Sequence, residues 1–420
     1  MKKLLKKHNL KDKQNEIILV SAISLCLFFI ITVLGVNIFN GKIFEINATK
    51  TANGNDSVKN ITITAIGDIM AHDDQLKAQF DKNSKTYSFD NNFKYVKPYI
   101  SNSDLTIGNL ETTLAGPKAK YSSFPKFNSP DELADAIKNS GVDIVSTINN
   151  HTYDRGSEGV YRTLDVLNSK GLETVGTKKS DSDKNFIIKD VQGVKLGITS
   201  YSYGQIYGST TALNGLPIHN SDLNNLNIFS SSYVDLAFNE IKDTLDTMNN
   251  EKTDLQVVVI HWGDEYTRYP NKFQIELTKK LCDYGVDVII GSHPHMVQPI
   301  EIVKSEENNN ETLVIYSLGN FLSNQRNEIL NKKYTEDGVI VNINISKNFD
   351  TGETKISSVD YIPTWVNKYN KNGKLTYEII PLINKEQFSK IDNLPLAKAQ
   401  RSYDNTTSII GSSHMINVAK

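Results

Sequence analysis

From Ile61 onward the chain alternates short apolar strands with amphipathic helices, and this rhythm restricts the fold more than any other feature. The strand candidates are ITITAIGDI (61–69), VDIVSTI (142–148), KLGITSYS (195–202), LQVVVIHW (255–262), VDVIIGS (286–292) and LVIYSLGN (313–320). Each is a brief apolar run, the pattern of a central strand buried on both faces. Helix signals lie between them. Ser129-Pro130-Asp131-Glu132 reads as a capping box with proline at the first helical position, and Gly141 closes that helix. Ser157 and Gly171 bracket a second helix, and Asn271 and Gly285 a third. The alternation predicts an α/β layered domain. Residues 203–254 break it with a Gly/Ser/Asn-rich excursion, a possible lid, holding one helix near 232–248. Residues 338–366 predict a hairpin around Asp350-Thr351-Gly352. From about 385 the periodicity fades, and a loosely packed tail is expected over 385–420.

The N-terminus has a different character. Residues 17–39 carry no charge across 23 positions, and as a helix they would span roughly 35 Å, enough for a hydrocarbon core of ~30 Å. A cleaved signal peptide is the competing reading, but its apolar region runs to only about 7–15 residues before a small-residue cleavage site. Residues 17–39 are therefore expected to be an uncleaved membrane anchor. Lys2, Lys3, Lys6, Lys7, Lys11 and Lys13 precede it in a basic tail of residues 1–16. The positive-inside rule then puts the N-terminus in the cytoplasm and everything past residue 40 outside the cell membrane. Residues 40–60, polar and rich in Asn, Thr and Gly, read as a tether.

Those six lysines against Asp12 and Glu16 give the tail +4, so the exterior part of a chain of net charge −2 carries −6. No global basic field is present, and nucleic-acid partners are not expected. Only two cysteines occur, Cys26 inside the apolar run and Cys282 in a helix. They exclude a disulfide framework and a thiolate zinc site, and Cys282 reads as core packing.

Five of the eight histidines, His72, His151, His261, His293 and His295, fall at or just after the C-terminal ends of candidate strands. That is the edge at which open α/β sheets place ligands. Asp68, Asn109, Glu111, Asn149, Asn150 and Asp154 cluster at the same ends, beside Gly67, Gly108 and Gly291. Any one of these histidines alone would be unremarkable. Together, imidazole nitrogens with carboxylate and amide oxygens and no thiolate suit one or two Zn²⁺, Mn²⁺ or Fe ions. His8, His219 and His414 lie in tail or loop sequence and take no role.

The segments GDIMAH (67–72), IGNLET (107–112), NNHTYDRG (149–156), GLETVGT (171–177), IHWGDEY (260–266), GVDVIIGSHPHMVQ (285–298) and IYSLGNF (315–321) resemble the CapA family of capsule and poly-γ-glutamate biosynthesis proteins, within the calcineurin-like metallophosphoesterase superfamily. The likeness covers about residues 61–325, with 326–384 as a β-rich completion of the domain. It implies a four-layer αββα sandwich, two mixed sheets between helices, behind a single transmembrane helix, and a dinuclear metal centre at the strand ends. Carried over motif by motif, Asp68 and His295 would bind one metal, Glu111 would bridge, and Asn150, His261 and His293 would bind the other. His151 would be the catalytic acid or charge stabiliser. Apart from the carried-over set, His72, Asn109 and Asp154 are candidates for further ligands or their supports, and Arg155, Tyr266 and Arg268 are either contacts to substrate or ordinary surface residues. The sequence departs from the phosphoesterase pattern at Asp68-x-x-x-His72, where Asp-x-His is usual, and at Asn109-Leu110-Glu111, where the bridge is usually Asp.

Three functions fit these residues. One is a metal-dependent hydrolase, whose substrate the family resemblance implies to be an anionic envelope polymer such as poly-γ-glutamate, with phosphodiester cleavage as rival chemistry. Another is a polymer-binding guide beside membrane capsule-synthesis proteins. The third is an envelope protein whose metal only stabilises the fold.

Overall fold

The computed structural model describes residues 57–419. The basic tail, the apolar span 17–39 and most of the tether lie outside the described residues. No described helix is long and apolar enough to cross a membrane. The first strand begins at Val58, so the last three residues of the expected tether belong to the sheet.

The principal strands are β1 (Val58–Ile69), β2 (Leu105–Leu110), β3 (Ile144–Ser146), β4 (Glu173–Val175), β5 (Val194–Tyr207), β6 (Leu255–His261), β7 (Val288–Ser292), β8 (Glu311–Ile315), β9 (Asp337–Asn348), β10 (Thr354–Lys371) and β11 (Lys374–Pro381). They form two mixed sheets. One runs β11-β10-β9-β1-β2-β3-β4, parallel from β1 to β4 and antiparallel from β1 to β11. The other carries β5, β6, β7 and β8 in parallel at its centre. The hairpin expected at 338–366 is the β9–β10 pair.

The sheets face each other across one continuous apolar core. Ile63, Ile107 and Val341 come from the first sheet, and Ile198, Val257 and Ile290 from the second. The outer faces are covered by helices: α1 (Asp73–Gln79), α2 (Glu132–Ser140) and α3 (Gly156–Ser169) on the first sheet, α4 (Val234–Asn250) and α5 (Lys272–Tyr284) on the second. Central strands are thus buried on both sides, which is why they read as apolar runs without alternation. Cys282 is buried in α5, its thiol donating to the Val303 carbonyl at 3.3 Å.

The helix signals met different outcomes. Asn271 caps α5 with Gln274 in a reciprocal box, at 2.9 and 3.0 Å, and Gly285 ends it in the left-handed region at φ 110°. The expected box at α2 is not made. The Ser129 hydroxyl is bonded to Thr112, and the Asp131 carboxylate takes both arms of Arg162 at 2.8 and 2.7 Å. At α3 the helix begins at Gly156, and the Ser157 hydroxyl serves Asp222 instead of the helix end.

The expected loose tail is a packed element. Leu396–Ile410 is a helix, α6, and Ile416–Val418 adds a parallel strand to β10. Ala399, Ser402, Thr406, Ile409 and Ile410 point inward. Their spacing is helical, but serine and threonine occupy two of the inward positions and mask it. Arg401 of α6 donates to both oxygens of the fully buried Asp337 at 3.0 and 2.7 Å, and Asn405 adds a bond at 2.9 Å. Arg401→Met leaves that carboxylate without its cation and is expected to cost about 3 kcal/mol at pH 7, read from the urea midpoint. Burial, opposed by Arg401, raises the Asp337 carboxyl to about 6. Without Arg401 the carboxyl rises further, so the two proteins differ in charge at Asp337 only above about pH 6, and the penalty shrinks as pH falls from 8 towards 6. A penalty independent of pH overturns this account.

Candidate metal centre

The site is assembled from the C-terminal ends of strands in both sheets. Gly67 precedes Asp68 at the end of β1, where the chain crosses the 318–319 backbone. A β-carbon at Gly67 would lie 2.0 Å from the Gly319 oxygen, and the Asp68 N–H donates to that same oxygen at 3.0 Å. Gly291 does the same for β7, where a β-carbon would meet the Tyr316 oxygen at 2.1 Å. The loop that follows holds His293 and His295 at φ 100° and 55°, a region that non-glycine residues rarely occupy. Gly67→Ala is expected to destabilise the fold by about 3 kcal/mol and to weaken metal binding by displacing Asp68. Wild-type metal binding in that variant would disprove this role for Gly67.

Two clusters of buried ligand atoms share one carboxylate. Asp68, Glu111 and His295 form the first, and Glu111, His261 and His293 the second, with the atoms of each cluster all within 4.8 Å of one another. Glu111 Oε1 stands 3.7 Å from His261 Nε2 and 3.7 Å from His295 Nε2, and it has no hydrogen-bond partner. Asp68 Oδ2 lies 3.1 Å from His295 Nδ1. His261 Nε2 meets Asn150 Oδ1 at 3.0 Å and His293 Nδ1 at 3.1 Å, while its Nδ1 is anchored on the Ser292 hydroxyl at 2.9 Å.

The electrostatics match this crowding. Burial, reinforced by Asp68 and then Glu265, pushes the Glu111 carboxyl well above the usual range. Burial, and then the neighbouring imidazoles, hold His261 and His293 well below theirs. Without a cation these groups favour their neutral forms. A divalent ion reverses the preference of Glu111 and uses the lone pairs of the neutral imidazoles. The donor set, nitrogen and oxygen without thiolate around an orphaned carboxylate oxygen, fits Zn²⁺, Mn²⁺ or Fe.

Further residues hold this shell in place. Asn109 Nδ2 donates to Asp68 at 2.8 Å and to Glu111 at 3.4 Å, and its own oxygen accepts from Asn149 at 3.2 Å. Asn109 is thus a support for both carboxylates, and Asn149, to which the sequence motif pointed without a role, positions Asn109. His151 Nδ1 is bonded to Asp154 Oδ2 at 2.8 Å, and that oxygen also accepts the Phe127 N–H at 2.6 Å. Asp154 therefore orients His151 and stands outside both clusters. His72 is outside them too: its Nδ1 accepts the Asn324 N–H at 3.2 Å, and burial lowers its imidazole to about 4.

The three expected substrate contacts separate. Arg155 is turned to the 120–126 loop, donating to the Ser122 hydroxyl and the Lys126 carbonyl, and is a loop clamp. Tyr266 stays at the site, its N–H donating to the Pro294 carbonyl at 2.8 Å and its ring 6.0 Å from that of His295. Arg268 lies further out, stacked on Tyr334 at 4.7 Å. Tyr203 was missed by sequence reasoning. Its ring stands 4.9 Å from that of His293, and with Phe229, Phe273, Glu265 and His293 it lines a cavity of about 330 Å³. Its place just past the KLGITSYS run was the available signal.

Two facing mixed sheets whose parallel strands end in a carboxylate shared by two histidine-containing clusters define an α/β sandwich protein with a candidate two-cation centre. The chain belongs to the family described as bacterial capsule synthesis protein PGA_cap, whose model matches residues 62–325. It is 29% identical over 270 residues to the capsule biosynthesis protein CapA of Bacillus anthracis, covering 63% of this chain and 60% of that protein. It is 28% identical over 308 residues to the PGA biosynthesis protein CapA of Bacillus subtilis (strain 168), covering 71% of each. The chain thus spans 60% of the first relative's length, less than two thirds. Among solved structures it is similar to the calcineurin-like phosphoesterase YfkN from Bacillus subtilis, at 14% identity and a TM-score of 0.42, covering 84% of this chain and 98% of the other.

Proposed function

We propose that this protein is a membrane-anchored capsule or poly-γ-glutamate biosynthesis protein with a metal-dependent, metallophosphoesterase-like hydrolytic site acting on an anionic polymer outside the cell membrane. The observation that carries the hydrolytic reading is the buried, unpartnered Glu111 oxygen equidistant from His261 and His295. Asp68, Glu111 and His295 would hold one divalent cation, and Glu111, His261, His293 and Asn150 a second. Such ions supply a polarised amide or phosphoryl oxygen and a bound water of pKa near ~7.

The chain's own residues do the rest. His151, fixed through Nδ1 on Asp154, has its Nε2 free to deliver a proton to the leaving group. Phe127, edge-on to His151 at 4.7 Å, shields that imidazole from water. The names of the relatives support the polymer, and the uncharged run 17–39 with its preceding lysines supports the anchor and the outward orientation. Membrane capsule-synthesis proteins are the expected neighbours.

The test is to load the full chain in detergent with Mn²⁺ or Zn²⁺ and offer poly-γ-glutamate and a chromogenic phosphodiester. Metal-dependent turnover abolished by His295→Ala is expected. Polymer binding without turnover of either compound would make the protein a guide and overturn the hydrolytic reading.

A further inference from the structure

We propose that the segment 326–336 and helix α6 build a track that leads an extended polyamide chain bearing carboxylates away from the metal centre. This rests on the polymer reading above. A cleft of about 340 Å³ lies between that segment and α6, lined by Lys333, Tyr334, Glu336, Lys398 and Arg401 among others. Two cation–ring pairs lie between it and the metal centre. The Tyr266 ring, 6.0 Å from that of His295, carries the Lys332 ammonium 5.9 Å from its centroid. Two residues further along each segment, Arg268 lies 4.7 Å from the centre of the Tyr334 ring, and Arg401 covers the same ring at 5.7 Å. The path from His295 to the cleft is therefore aromatic and cationic in a domain whose sequence is otherwise net acidic.

Arg401 is committed to Asp337. The exposed Lys332, Lys333 and Lys398, with Arg268 over the Tyr334 ring, are the cations left for a ligand. One feature selects among polyanions. Glu336, only 5% exposed, lines the cleft, and its Oε2 is buried with no partner, while Oε1 faces Arg326 at 3.7 Å. An acceptor wanting a donor suits a chain that carries N–H groups between its carboxylates. A phosphodiester chain without N–H groups would leave that oxygen unsatisfied.

The test uses the full chain in detergent and fluorescent poly-γ-glutamate, followed by anisotropy across a salt series. Lys332→Glu, Lys333→Glu and Lys398→Glu combined are expected to weaken polymer binding at least about tenfold and to flatten its salt dependence. Metal content and turnover of the small phosphodiester stay at wild-type levels. Unchanged polymer affinity in the triple variant overturns the track, and so does inorganic polyphosphate binding as tightly as poly-γ-glutamate. If wild-type protein binds no polymer at all, track and polymer reading fall together. If it binds polymer through these lysines but shows no metal-dependent turnover, the track stands and the hydrolytic reading falls.

Discussion

Glu111→Gln is expected to abolish metal-induced stabilisation while leaving the metal-free protein at least as stable as wild type. The two halves have one cause. Glu111 is fully buried, its Oε1 has no hydrogen-bond partner in the protein, and burial and Asp68 raise its carboxyl well above the usual range. Ionising it costs the folded state stability, and that cost appears as pH rises from the ordinary carboxylate range through the raised value. Glutamine has nearly the same shape and no charge to desolvate. In the loaded protein the carboxylate is the group both clusters share, so its loss removes a ligand from each. At a metal concentration near 100 times the wild-type Kd, about 2.7 kcal/mol of stabilisation should vanish. The measurement is chemical denaturation with and without Mn²⁺ or Zn²⁺ at several pH values. A metal-dependent shift kept at wild-type size, or a metal-free variant less stable than wild type at pH 8, would defeat the assignment of Glu111 as the shared ligand.

His151→Ala should separate chemistry from metal binding. His151 follows the proposed ligand Asn150 directly, yet its Nδ1 is spent on Asp154 at 2.8 Å and it belongs to neither candidate cluster. Its removal is expected to lower kcat by about 10²–10⁴ while metal content and metal-induced stabilisation persist. Asp154→Asn should lower kcat less, because the amide oxygen can still accept from the ring Nδ1 and hold it in place. Loss of metal in step with loss of activity would show that His151 is a ligand and that the leaving group takes its proton elsewhere.

Much of the architecture was legible in the residue order, because buried parallel strands must be apolar on both faces and their ends must be polar. The placing of five histidines at strand ends came from the same logic, and four of them, with Asp68, Glu111 and Asn150, line the site. What escaped notice depended on partners distant in the chain. Ser129 and Asp131 carry the letters of a helix cap, but Thr112 and Arg162 claim them. Arg155 stands beside the site in sequence and is pulled to the 120–126 loop. The helix at Leu396–Ile410 hid its inward face behind Ser402 and Thr406, residues that pass for surface until a sheet is seen against them.

Chain order alone therefore determined which chemistry is available: imidazoles, carboxylates and amides delivered to one edge of a layered α/β domain, with no thiolate among them. Tertiary structure alone decided their division of labour. Whether a carboxylate keeps an unpartnered oxygen like Glu111, braces a ring like Asp154 or forms half of an ion pair like Asp337 depends on which donors lie within about 3 Å. Some come from nearby, as His151 does to Asp154, but others come from far along the chain, as Arg401 and Asn405 do to Asp337. Local patterning sets where a strand ends, and only the packing of two sheets against each other sets what its last side chain meets.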